Sequence, residues 1–426
     1  MRVLVCVLLA SMIAIGMTGC EQAAPAVPTP QVLADNGAWT WFNDERAVFA
    51  GENLYVGFVD TAGYASVAVH PLEGGSARTY RLGTKQEKDD HNNPAFLYLG
   101  SARLLATYAL HHTEPIWYWR FAEGTAADAI RWSEEEPTAP LAARITYSNL
   151  VQLAAEGGRV YNFFRGTNFD PAFMTSDDDG RTWSTEQHFI TSGGRSTRPY
   201  VKYASDGNGR IDLLFTQAHP RDAATNIYHV YYQDGNLHRS DGQHIQALPG
   251  NDAPPMPVDA GTLIYSASDK GRAWVWDLEY DASGTPVAVY VTARDSTVGN
   301  DLRYHYARWD AERGTWQERE IAHAGTHLYD GENHYAGGIA LDPDDTRTVY
   351  TSSDVDPATG ATTDHYQIYR GHTDDDGKTW VWTALTPDAT ADNLRPFVPR
   401  GGQGRHAVLW FRGRYTSYTD YDTAVV

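Results

Sequence analysis

Ser176-Asp177-Asp178-Asp179-Gly180-Arg181-Thr182-Trp183 returns later in the chain as Thr373-Asp374-Asp375-Asp376-Gly377-Lys378-Thr379-Trp380. An Arg-Pro-aromatic-Val run follows each copy at the same distance: Arg198-Pro199-Tyr200-Val201, then Arg395-Pro396-Phe397-Val398. Two motifs sharing one offset of 197 residues mean that a structural unit repeats, not merely a turn. A weaker copy, Trp309-Asp310-Ala311-Glu312-Arg313-Gly314-Thr315-Trp316, lies between them. Each element suits a tight hairpin, in which acidic side chains hydrogen-bond backbone amides, glycine takes the positive-φ position and Trp opens the next strand. Recurring hairpins of this kind predict an all-β chain built from small antiparallel sheets.

Alternating apolar and polar runs support this. Leu54-Tyr55-Val56-Gly57-Phe58-Val59, Leu104-Leu105-Ala106-Thr107-Tyr108, Val160-Tyr161-Asn162-Phe163-Phe164, Ile211-Asp212-Leu213-Leu214-Phe215, Val287-Ala288-Val289-Tyr290-Val291 and Ala407-Val408-Leu409-Trp410-Phe411 are each bounded by Gly, Asp, Asn or Pro. No long stretch has helical period; Ala126 to Ile130 suits a short helical turn. A sandwich, a β-helix and a propeller all fit many short strands. The offset, divided into about four units of roughly 50 residues, favours a seven-bladed β-propeller of four-stranded antiparallel blades. Such a fold brings residues distant in sequence to one pocket near its axis.

The chain of 426 residues opens with Arg2, the apolar run Val3 to Met17, and Thr18-Gly19-Cys20. This resembles a bacterial lipoprotein signal over residues 1–20, with Cys20 lipidated after cleavage. An ordinary secretory signal with an unrelated cysteine is the alternative, and the run is shorter than the roughly 20 residues a transmembrane helix needs. Residues 21–34, rich in Ala and Pro, read as a flexible tether, and 35–426 as one catalytic domain. The expected location is the bacterial cell envelope, with membrane contact only through the lipid anchor. Cys6 and Cys20 are the only cysteines, so the mature domain has no disulfide and no cysteine nucleophile. The net charge of −20 makes nucleic acid and anionic membranes poor partners. An anionic polysaccharide needs a local positive pocket.

Such a pocket is foreshadowed by Asp89-Asp90-His91-Asn92-Asn93-Pro94, Tyr108-Ala109-Leu110-His111-His112, Thr146-Tyr147-Ser148-Asn149 and Phe163-Phe164-Arg165-Gly166. His91 follows two acids, and a nearby carboxylate favours imidazolium; a turn histidine bonded to backbone is the plainer reading. His111 ends an apolar strand, and Tyr147 alone would pass for core. Arg165 emerges directly from a buried strand and needs an anionic partner, either an internal acid or a substrate carboxylate. Thr216-Gln217-Ala218-His219-Pro220-Arg221 ends another apolar strand and reads as a second, substrate-binding wall, with an internal ion pair as the alternative. Arg198 is a weaker substrate-binding candidate, because its copy Arg395 suggests a structural role. His219, His229, His238 and His244 lie close together, but no spacing among them is diagnostic of zinc.

Taken with Trp39-Thr40-Trp41-Phe42-Asn43-Asp44-Glu45-Arg46-Ala47 and Asn393-Leu394-Arg395-Pro396-Phe397, these segments resemble the BNR-repeat proteins that include ulvan lyases. That resemblance implies a seven-bladed propeller and cleavage of ulvan, a sulfated algal polysaccharide, between rhamnose-3-sulfate and glucuronate or iduronate by β-elimination. It implies His91 and Tyr147 as the acid/base pair, with the base unassigned, and His111 with Arg165 as neutralisers of the uronate carboxylate. His111 is preferred to His112 because it stands three residues beyond Tyr108. The chemistry requires no cofactor. Some relatives hold a metal with cysteines that this chain lacks, and a structural zinc or calcium ion stays open. A monomer is expected. The rival readings are a glycoside hydrolase on the same scaffold, acting on rhamnose-glucuronate linkages, and a non-catalytic glycan-binding surface lipoprotein. The acidic hairpins alone also suggest a sialidase, but they are turns and specify no chemistry.

Overall fold

Strongly apolar runs bounded by turn residues become the second strands of successive antiparallel sheets, hydrogen-bonded on both sides. In the computed structural model, residues 29–99, 103–124, 129–250, 253–267, 271–294 and 300–426 are described. The proposed signal, Cys20, most of the tether and most of the expected helical turn lie outside the described residues.

Seven antiparallel sheets follow one another among the described residues. Their second strands are Asn53–Val59, Arg103–Ala109, Arg159–Arg165, Arg210–Phe215, Pro286–Ala293, Thr348–Val355 and Leu409–Ser417. The first, third, fifth and sixth sheets have four strands in sequence order. The second has five, the fourth six and the seventh three, so four strands per sheet is the theme rather than the rule. A two-stranded parallel pair, Ile190–Thr191 with Met256–Pro257, lies apart from these. Near the beginning of the described chain, Leu33 and Ala34 pair with Val425 in the last strand. Gln31–Val426 clusters as one unit.

The acidic hairpins stand between the third and fourth strands of the third and sixth sheets. Asp178 Oδ1 accepts the Thr182 amide at 2.8 Å, and Asp375 Oδ1 accepts that of Thr379 at 2.8 Å. In both copies Trp Nε1 donates to the glycine carbonyl at 3.1 Å. Gly180 and Gly377 have φ of 80° and 82°. The copies are therefore three sheets apart, not four units of about 50 residues. The surplus sits in the fourth sheet, whose six strands, among them Asn236–His238, His244–Ala247 and Thr262–Tyr265, lengthen that repeat. The weaker copy is a plain hairpin in which Trp309 and Trp316 pair across the strands.

The segment Trp39 to Asp44 is buried throughout. Trp41 stacks on Trp276 with centroids 4.1 Å apart and donates its indole N–H to the Val275 carbonyl at 2.9 Å. Phe42 packs on both Tyr147 and Tyr200. Burying a side chain of this size contributes roughly 2–3 kcal/mol. Asn43 then joins two sheets, donating to the carbonyls of His91 and Asn93 and accepting the Ser148 amide at 2.9 Å.

Candidate active site

In an antiparallel sheet the start of the first strand and the end of the second share one edge. The second, third and fourth sheets each place two chemically capable residues there. His91 precedes Ala95–Tyr98, and His111 follows Arg103–Ala109. Tyr147 lies at the start of Thr146–Leu153, and Arg165 ends Arg159–Arg165. Tyr200 precedes Val201–Ser205, and His219 follows Arg210–Phe215.

Asp89 organises the histidines. It caps the short 3₁₀ turn Asp90–Asn92 by accepting the His91 amide at 3.0 Å. The same Oδ1 accepts His91 Nδ1–H at 2.6 Å, while Oδ2 accepts His111 Nδ1–H at 2.7 Å. The two imidazoles stack with centroids 4.0 Å apart. In the neutral form of each ring, Nε2 is thereby the nitrogen that lacks a proton. Burial works to raise the Asp89 carboxyl, but attraction to His91 and the hydrogen bonds of both imidazoles hold it well below the usual range. Burial, aided by His91, brings His111 down to about 4, against the pull of Asp89. His111 is therefore a neutral acceptor, consistent with its Nε2 facing Arg165 Nη2 at 3.4 Å.

Arg165 is almost fully buried and lies 4.8 Å from the Tyr147 ring centroid. Its other polar contacts are the Tyr200 hydroxyl and Thr146 Oγ1, each at 3.3 Å. Among the described residues no carboxylate pairs with it. The internal-acid explanation of Arg165 thus falls, and the positive charge expected of His111 and Arg165 together resides on Arg165. Tyr147 sits at φ 74°, where the strand register shifts between Thr146 and Asn149. Such a backbone costs on the order of 1–3 kcal/mol and is common at functional sites. Burial and the nearby Tyr200 push the Tyr147 phenol well above its ordinary value, although Arg165 pulls the other way. Among the described residues its hydroxyl makes no hydrogen bond.

The remaining candidates divide. His112 turns away to pack on Phe169, with centroids 4.5 Å apart. His219 joins the cluster through Tyr200 and Trp274. Arg221 pairs with Glu332, and Arg198 with Asp222. Arg198 and Arg395 share a positive φ of 60° and 53°, but Arg395 is buried against Asp90 at 2.6 Å, beneath His91. The four-histidine group does not form one site. His229 is buried between Asp212 and Ser240, and His238 lies on Tyr231. Asp89, His91 and His111 do present donor atoms within 4.8 Å of one another, the one such trio among the described residues. A metal held through both Nδ1 atoms would displace the two hydrogen bonds to Asp89, so the donor set suits an orienting carboxylate better than a cation.

Sequence reading missed Asp89 as the common anchor, Tyr200, Tyr418 and Glu332. Tyr200 had a signal: the repeat copy carries Phe397 at that place, so only one copy keeps a hydroxyl. Tyr418 and Glu332 had none. Tyr418 follows Leu409–Ser417 and sets its ring edge-on to His91 and His111, 5.1 and 5.8 Å away. Its carbonyl accepts the Asp90 amide at 2.9 Å. Beyond it opens a cleft of ≈ 700 Å³ lined by Arg221, Tyr329, Glu332 and Tyr418, among others. That volume suits a saccharide.

Comparison with known proteins agrees with this architecture. A solved ulvan lyase, described as a new family of polysaccharide lyase, PL25, and bound to -[GlcA(1-4)Rha3S]-, is similar with a TM-score of 0.68. Identity is 13%, over 92% of this chain and 94% of that one. The polysaccharide lyase Uly1 is similar at a TM-score of 0.59 and 10% identity, over 93% of this chain and 96% of that one. These likenesses establish a common fold. No curated protein matches the chain. The model of the BNR repeat-containing family matches residues 53–324, well over half of the chain, and the protein belongs to that family.

Proposed function

We propose that the protein is a polysaccharide lyase acting on ulvan-type polymers, cleaving between rhamnose-3-sulfate and glucuronate or iduronate by β-elimination. The observation that carries this reading is the buried Arg165, with no carboxylate partner among the described residues, set beside the His91–His111 pair held by Asp89 and a protonated phenol. A uronate carboxylate completes Arg165, and neutralising it makes the C5 proton acidic enough to remove. His91 Nε2, held in place by Asp89, takes that proton. The C5–H electrons form the C4–C5 double bond, and the C4–O4 bond breaks. Tyr147, kept protonated by its burial, gives its proton to O4. One proton moves from carbon to oxygen, and no redox partner is required.

The common fold with ulvan lyases supports this reading. The seven sheets are then the blades of a propeller, closed where Leu33 and Ala34 join the last sheet. A lipoprotein signal over residues 1–20 and a monomeric, lipid-anchored enzyme at the cell envelope complete the proposal, and palmitate labelling lost in Cys20→Ser tests the anchor. The deciding experiment is incubation of the purified protein with ulvan. Ultraviolet-absorbing unsaturated uronyl ends are the expected product. Saturated products would mean hydrolysis, and binding without products would mean a glycan-capture module.

A further inference from the structure

Tyr415, Tyr418 and Tyr421 stand three residues apart along the hairpin of Leu409–Ser417 and Asp420–Val425. Two of the three use their hydroxyls inside the protein. Tyr415 donates to Asp90 Oδ2 at 2.6 Å and accepts from Arg395 Nη2 at 2.7 Å. Tyr421 donates to the Val59 carbonyl at 3.3 Å. Among the described residues the Tyr418 hydroxyl makes no hydrogen bond. Unlike that of Tyr147, it is not sealed from solvent, and its half-buried residue lines the cleft.

The residue is held in place from both ends. Its carbonyl accepts the Asp90 amide at 2.9 Å. In the turn around it, the Asp420 amide donates to Ser417 Oγ at 3.0 Å, and Thr416 Oγ1 donates to the Asp420 carbonyl at 2.9 Å. The ring stands nearly perpendicular to both stacked imidazoles, at 87° to His91 and 79° to His111. A ring on the outer face of that stack would be farther from one imidazole than from the other by the full stacking distance of 4.0 Å. The two distances are instead 5.1 and 5.8 Å, so Tyr418 stands beside the pair, against the edges of both rings. Burial, with Asp89 and Asp90 nearby, raises its phenol against the pull of Arg221. The group is therefore a protonated donor at neutral pH. A fixed, unpartnered donor at the mouth of a cleft is preorganised for a ligand oxygen.

We propose that Tyr418 is a substrate-binding residue, donating its hydroxyl to an oxygen of the sugar that adjoins the uronate. This rests on the lyase reading above and adds to it a contact supplied by the last sheet. With the uronate carboxylate on Arg165, the cleft beside Tyr418 takes the next sugar of the chain. The ring of Tyr418 is then a positioning element for His91 and His111, and its hydroxyl is a binding element.

The test separates hydroxyl from ring. Tyr418→Phe removes only the hydroxyl. On ulvan, followed by release of unsaturated ends, its kcat/KM should fall about five- to tenfold through KM, with kcat within about twofold of wild type. Tyr418→Ala removes the ring as well and should also lower kcat, by at least about tenfold, so that recovery of kcat in Tyr418→Phe assigns that part to the ring. Tyr418→Phe should melt with the wild type, because its hydroxyl bonds nothing in the protein. Tyr421→Phe controls for the hairpin: it should lower the melting temperature and leave KM unchanged. A kcat/KM within about twofold of wild type in Tyr418→Phe, a loss carried by kcat alone, or an equal rise of KM in Tyr421→Phe overturns the proposal. If the wild type releases no unsaturated ends, the lyase reading fails, and calorimetric dissociation constants for ulvan decide the contact. Binding weakened about five- to tenfold in Tyr418→Phe then upholds it, and equal binding, or none by the wild type, overturns it.

Discussion

Asp89 does with one carboxylate what many sites do with two: each oxygen fixes the tautomer of a different imidazole. An amide at this place keeps only one acceptor oxygen. Its NH₂ would donate to the Nδ1 of one histidine and drive that ring's proton to Nε2, where it blocks proton abstraction. Asp89→Asn is therefore expected to lower kcat on ulvan by on the order of 10³, with KM changed little. Steady-state kinetics alongside a melting curve check this, since a merely unfolded variant would lose both. At this scale the sequence was informative about position and poor about charge. His91, His111, Tyr147 and Arg165 stand where apolar strands begin and end, so their convergence follows from strand pattern. The neutrality of His111 does not. It depends on burial and on a stacked neighbour supplied by a loop twenty residues earlier. Tyr418 was invisible, because nothing local marks a polar hairpin tip from the last sheet as a wall of this cleft.

Second strands were the most legible elements, since burial on both faces writes a continuous apolar run. The exception is Thr348–Val355, which is buried along nearly its whole length yet reads as polar. There Ser352 Oγ donates to the Asn393 carbonyl at 2.6 Å, so hydroxyls replace methyl groups in the contact between successive sheets. The acidic hairpins act in the same way, as clamps between sheets. A Cβ added at Gly377 would lie 2.8 Å from Tyr306 in the fifth sheet, and one at Gly180 would lie 2.8 Å from Leu105 in the second. Gly377→Ala combines that collision with a left-handed backbone. A loss of about 2–4 kcal/mol is expected in denaturant unfolding, with kcat per folded molecule unchanged. Their spacing misled the blade arithmetic because repeats need not be equal in length: additional strands can enlarge one sheet without moving the hairpin within its neighbours.

For the whole molecule, buried titratable groups set opposing pH limits. An imidazole whose folded pKa lies below its unfolded value binds fewer protons when folded, so acidification through that window favours unfolding. His334, brought down to about 4 by burial and by Arg272 and Arg221, works in this sense between about 6.5 and 4. His111 and His219 add to it. Glu45 works in reverse. Burial raises it to about 7 despite Arg400, with Asp44 and Asp277 adding to the rise and Lys202 opposing it. The folded chain then holds a proton that the unfolded chain releases, and stability is lost as pH climbs from about 4.5 to 7. The two limits can be separated by substitution. From pH 6.5 to 5 the wild-type chain should lose roughly 2 kcal/mol more than His334→Gln, because one unfolded-state protonation has been removed. From pH 5 to 7 Glu45→Gln should lose less than wild type. Urea unfolding of the three proteins at each pH measures both differences, and parallel curves for all three would show that these buried groups do not govern the stability of the fold.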